Sequence, residues 1–149
     1  MRPRLLAAYR ETCYDVGGIG MRVGRRCAAM DRLLLAHGVR TGVLITAFNP
    51  LSRLMPPGWN RRMQASLRQT LGRRRVLPAS GSLRRWSEAH LVVFGDVPPV
   101  QRLARRFRQC AVVVVRLRQP ARLLLTFRGF GSADTSGRAS AGSTAQVSR

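Results

Sequence analysis

The sequence predicts a single α/β domain over residues 1–130, with a mixed, mainly parallel sheet, flanking helices and a C-terminal antiparallel hairpin. Three observations carry this reading. Helix-period and strand-like segments alternate along the chain. The apolar runs Val43 to Phe48 and Cys110 to Val115 lack the alternation of a strand with one wet face, and such runs suit strands covered on both faces, as in the parallel part of α/β sheets. After the second run, a Gln119-Pro120 turn leads into Arg122 to Phe127, which can fold back as a hairpin.

The elements follow in order. Leu5, Leu6, Tyr9 and Cys13 lie at helical spacing, which predicts a short amphipathic helix over residues 3–13. Tyr14 to Val16 and Ile19 suggest a brief strand bent by Gly17 and Gly18. Val23, Cys27, Met30 and Leu34 mark one face of a helix that stops at Gly38, its C′ residue. Residues 41–48 are the first buried strand, closed by the Asn49-Pro50 step. Met63, Leu67 and Leu71 mark a helix with Asn60 placed to cap it. Arg74 to Pro78 reads as a weak edge strand, Ser80-Gly81-Ser82 as a loop, and His90 to Phe94 as a short apolar strand. Pro98 and Pro99 fit the first turn of a helix whose core face is Val100, Leu103, Ala104 and Phe107. Beyond Gly131 no apolar period exists, so residues 131–149 are expected to be a disordered low-complexity tail.

Charge constrains the partners. Twenty-seven basic residues against 6 acidic ones give a formal charge of +21, which attracts polyanions. All of the basic residues are Arg and none is Lys, a bias that a GC-rich genome alone produces. Cys13, Cys27 and Cys110 show no CxxC spacing, so neither a disulfide framework nor a zinc site is suggested. The basic start at Arg2 and Arg4 is followed by an apolar run too short for an export signal, and no window has the length of a membrane span. A cytoplasmic location is expected.

Ala8-Tyr9-Arg10-Glu11-Thr12-Cys13-Tyr14, Ile19-Gly20, Thr46-Ala47-Phe48-Asn49-Pro50, Asn60, Trp86-Ser87-Glu88 and Phe107-Arg108-Gln109-Cys110-Ala111 fall in the order and approximate spacing of one small bacterial family. Over roughly residues 8–125 the chain resembles the uncharacterised family catalogued as domain of unknown function 3293. It departs from the family pattern at Phe48, where relatives often carry Trp, and at Arg108, where Gly is common. The resemblance implies a fold and a polar site, and no reaction.

Thr46, Asn49, Asn60, Glu88 and Gln109 stand at junctions between apolar elements, where several α/β units can meet at one sheet edge. Three amides and a carboxylate could orient a polar or anionic small molecule. Each residue also has a structural reading: Asn49 as a turn residue, Asn60 as an N-cap, Gln109 as a helix end, Glu88 as the ion-pair partner of Arg84 or Arg85. No GxSxG elbow, Walker lysine or close carboxylate pair is present, and Gly17-Gly18-Ile19-Gly20 misses the GxGxxG spacing, so no catalytic residue and no cofactor is assigned. A binding module is expected ahead of an enzyme. The alternative is a nucleic-acid-associated basic protein, gripping phosphate through Arg61, Arg62 and Arg68 and stacking bases on Trp59 and Trp86.

Overall fold

A computed structural model describes residues 2–127. The expected tail at 131–149 lies outside the described residues. The chain forms helix α1 (Pro3–Glu11), strands β1 (Cys13–Val16) and β2 (Ile19–Met21), helix α2 (Ala28–Ala36), strand β3 (Thr41–Ile45) and helix α3 (Pro57–Leu71). Strands β4 (Val76–Leu83) and β5 (Trp86–Phe94), helix α4 (Val97–Arg106) and strands β6 (Ala111–Arg116) and β7 (Arg122–Leu125) follow. The strands form one seven-stranded sheet in the order β2-β1-β4-β5-β3-β6-β7.

Every neighbouring pair in that sheet is antiparallel, which corrects the expectation of a mainly parallel sheet. The alternation of strands and helices is real, but the strands that a helix joins are not neighbours. α3 carries the chain from β3 to β4, and β5 lies between them; α4 carries it from β5 to β6, and β3 lies between those. Each helix-linked pair therefore runs in one direction with an opposed strand inserted, the logic of a split βαβ unit.

The unbroken apolar runs report burial on both faces, not strand direction. Leu44, Val92, Val113 and Val115 pack on one face with Met30 and Leu34 of α2, while Val43, Ile45, Val93, Val112 and Val114 pack on the other with Leu67 and Leu71 of α3 and Val100 and Ala104 of α4. Two helical layers thus cover the centre of an antiparallel sheet. Burying each of the Val, Leu, Ile and Met side chains among these contributes roughly 1.5–3 kcal/mol.

Local readings differ in several places. Ser80-Gly81-Ser82 lies inside β4, which is an interior strand between β1 and β5 and not an edge. Asn60 is buried within α3, which begins at Pro57, so it is no N-cap. α2 starts at Ala28, leaving Val23 ahead of it, and β3 ends at Ile45, freeing Thr46 to Asn49 from the sheet. Gly17 and Gly18, both at positive φ, form the two-residue turn of a β1–β2 hairpin, where Asp15 Oδ1 accepts from the Gly18 N–H at 3.0 Å. The C-terminal hairpin is as expected: β6 and β7 pair with Val113 opposite Leu123 at one end of the sheet. Gly38, at φ 66, follows the C-cap His37 of α2 as the C′ residue.

Candidate functional site

The strand sides that α2 leaves uncovered form the floor of a cavity. On the face that carries Leu44 and Val113, the even-numbered positions of β5 bring up Glu88 and His90, β1 supplies Tyr14 and β4 supplies Gly81. α1 adds Leu5, Ala8, Tyr9 and Thr12, and the cavity so enclosed measures about 590 Å³. That volume lies in the range of small-molecule sites. A Cβ on Gly81 would stand 3.1 Å from His90 Cε1 and 3.2 Å from Tyr14 Cε1, so glycine in mid-strand is what lets the two rings meet edge to face at 5.5 Å over the floor.

The polar wall is built where β3 stops. The Thr46 hydroxyl donates to the Ala89 carbonyl at 2.7 Å and accepts from the Phe48 N–H at 3.0 Å, while Gln64 Oε1 on α3 accepts from the Ala47 N–H at 2.8 Å. These bonds turn the chain out of the sheet and satisfy its backbone. Asn49 and Asn60 then bond reciprocally: the Asn49 N–H donates to Asn60 Oδ1 at 3.0 Å, and Asn60 Nδ2 donates to Asn49 Oδ1 at 2.9 Å. The Met55 N–H donates to the same Asn49 Oδ1 at 2.8 Å. With its oxygen fully used, Asn49 presents Nδ2 and donates to Glu88 Oε1 at 2.8 Å.

Gln109 completes the wall from the far side. Its Nε2 donates to the carbonyls of Phe48 at 3.1 Å and Phe107 at 3.3 Å, which uses both N–H bonds and leaves Oε1 without a partner among the described residues. The loop between these groups is strained: Asn49, Leu51 and Ser52 adopt φ of 48, 52 and 58, and Arg108, whose carbonyl accepts from the Leu51 N–H at 2.7 Å, adopts φ 55. Left-handed backbone at a residue other than Gly costs about 1–2 kcal/mol, and such clusters persist where surrounding structure holds them.

Electrostatics set the wall apart from the rest of this cationic chain. Among the described residues the one ion pair joins Arg26 and Asp31 at 3.7 Å. Among the described residues Glu88 pairs with neither Arg84, Arg85 nor any other Arg, contrary to its default structural reading. Burial pushes its carboxyl above the ordinary range, and hydrogen bonds from Asn49 and Trp86 pull partly back. Burial likewise raises the phenols of Tyr9 and Tyr14, with the Glu88 charge adding to both. His90, desolvated in the same floor, is lowered to about 4; its Nδ1–H donates to the Glu88 carbonyl at 3.2 Å, which leaves Nε2 as an acceptor. At neutral pH the floor therefore holds neutral phenols and a neutral imidazole around one carboxyl group.

Of the five residues singled out from sequence, Thr46, Asn49, Glu88 and Gln109 line the cavity, and Asn60 stands behind Asn49 as its support. Tyr9, Tyr14 and His90 were missed. Tyr9 and Tyr14 read as core positions of a helix and a strand, and His90 as a strand edge. Gln64 was missed too, since nothing in a helical polar residue announces that it caps a strand end. The nucleic-acid candidates are divided by the sheet. Trp59, Arg61, Arg62 and Arg68 ride on α3, which packs on one face, whereas Trp86 follows Glu88 and His90 on the other and lines the cavity mouth. No group of three or more His, Cys, Asp or Glu placed to hold a metal occurs among the described residues. No described helix is long and apolar enough to cross a membrane.

Residues 45–112 match the model of the family described as Protein of unknown function (DUF3293). The family resemblance read from the sequence holds over that segment, which runs from the end of β3 to the start of β6 and contains Thr46, Asn49, Asn60, Glu88 and Gln109. No curated protein and no solved structure matches the chain.

Proposed function

We propose that this protein is a binding module whose ligand is a polar small molecule held in the cavity between α1 and the sheet. The observation that carries the reading is Glu88. In a chain with 27 Arg, a half-buried carboxyl group bonded to Asn49 and paired with no described guanidinium is kept for something other than neutralising charge. A carboxyl held this way, lining the same cavity as a Gln109 amide oxygen with no partner among the described residues, is a recognition surface for a ligand that donates hydrogen bonds. The apolar remainder of the lining, including Leu5, Leu44, Phe48 and Val113, would cover the body of that ligand.

A nucleic-acid role is the second reading, favoured by the net charge of +21. Its candidate residues would have to act from both faces of the sheet. Native mass spectrometry of the protein, purified gently from its own host, separates the two. The expected result is a bound small molecule that is lost in Glu88→Gln; co-purifying RNA retained in that variant would favour the second reading instead.

A further inference from the structure

The ends of the cavity differ in chemistry, and the difference specifies the ligand further. Along the floor and polar wall the capacity that remains is for accepting: the lone pairs of the Glu88 carboxyl beyond its bond from Asn49, Gln109 Oε1, whose amide N–H bonds are both taken by carbonyls, and Nε2 of His90. At the exposed β4–β5 turn, which also lines the cavity, stand Arg84 and Arg85, which carry only donors and a fixed positive charge. These two arginines form the whole two-residue turn between Leu83 and Trp86, which are paired across β4 and β5. Arg84 holds φ 55 there, at a turn position that Gly, Asn or Asp would occupy at little cost. A guanidinium is thus kept in an unfavourable backbone site directly at the cavity, although the chain has many other arginines.

We infer that the cavity takes a dipolar ligand, seated with an amidine-like, N–H-rich head on Glu88 and Gln109 and an anionic tail, carboxylate or phosphate, on Arg84 and Arg85. The inference rests on the proposed ligand-binding role and adds to it a polarity. The opposite charges at the two ends do not quench each other, since neither Arg pairs with Glu88. A ligand with only a tail would leave the half-buried Glu88 end desolvated without a partner, which costs affinity, and one with only a head would forgo the contact with the exposed arginines. A dipolar one satisfies both, and the arginine fork suits bidentate contact with either kind of anion.

Isothermal titration with simple probes tests this. Benzamidine supplies the head alone, benzoate and phenyl phosphate the two tails alone, and benzamidines bearing a para carboxylate or phosphate on tethers of increasing length supply both. The best tethered probe should bind at least about tenfold tighter than benzamidine, a gain of about 1.4 kcal/mol. Comparison of the two tethered series identifies the preferred anion. Arg84→Asn combined with Arg85→Ala should remove that gain and leave benzamidine unaffected, whereas Arg102→Ala, a charge change at an exposed position of α4, should leave the gain in place. Glu88→Gln should weaken benzamidine and the tethered probes alike. If no tether improves on benzamidine while Glu88→Gln still weakens it, the polarity is wrong and the pocket stands. If benzamidine binding is indifferent to Glu88→Gln, the pocket reading itself falls.

Discussion

Glu88 and His90 sit two residues apart on one strand face, and burial displaces their protonation in opposite senses with opposite consequences for stability. The Glu88 carboxyl is raised, so the folded state holds its proton more firmly than the unfolded chain. The stability this group contributes is present below its ordinary value of 4.5 and is lost as pH rises through its folded value. Glu88→Gln, which keeps an oxygen to accept from Asn49, should therefore match the parent at acidic pH and melt higher at pH 7. A lower melting temperature at pH 7 would show that the charge is compensated. His90 is depressed from 6.5 to about 4, so its contribution is present above 6.5 and lost as pH falls toward 4. Over that window the parent should lose up to about 3 kcal/mol, and His90→Gln should flatten the acid limb of a denaturation series. Asn60 shows what sequence could and could not tell at this scale. An Asn ahead of a helix pattern reads as a cap, but its use emerges only when the loop after β3 brings the Asn49 N–H to it. Asn60→Ala leaves that buried N–H unpaired and should destabilise by about 1–3 kcal/mol in chemical denaturation, with Asp, which keeps the acceptor, costing less.

At the scale of elements, the periodic patterns were legible and the pairings were not. Apolar spacing placed α1, α2, α3 and α4 and the buried cores of β3, β5 and β6, because burial of a face is a local property of sequence. Which strand lies beside which depends on how helices cross the sheet, and identical runs serve parallel or antiparallel neighbours when both faces are covered. β4 was misread for a related reason: Ser80-Gly81-Ser82 carries loop chemistry, yet the glycine is there to admit Tyr14 and His90. Gly81→Ala should displace those rings into the cavity, weakening ligand binding and lowering the melting temperature. The β4–β5 turn offers the reverse trade. Arg84→Asn places at φ 55 a residue that tolerates it, and should stabilise the fold by about 0.5–1 kcal/mol while weakening any anionic ligand.

For the whole molecule, the charge of +21 was plain in the composition, but its meaning required the fold. Arg61, Arg62 and Arg68 on α3 and the aromatic Trp86 are held on different faces of the sheet, and the cavity wall carries a carboxyl that no described guanidinium pairs. Binding of single-stranded RNA should accordingly be sequence-indifferent, fall steeply with salt and be unchanged by Trp59→Ala or Trp86→Ala. A salt-resistant component of about 1–3 kcal/mol per base, lost with either tryptophan, would indicate a stacking surface. The candidate site was legible to the extent that polar residues ending apolar runs are conspicuous; its roof on α1 was not, because Tyr9 looks like any core position of an amphipathic helix. The most direct measurement is a titration of the ¹⁵N-labelled protein with benzamidine, followed at the side-chain amides of Asn49 and Gln109. Saturable shifts of both signals, absent in Glu88→Gln, are expected; signals that stay in place while benzamidine perturbs other surfaces would rule out a ligand site at Glu88.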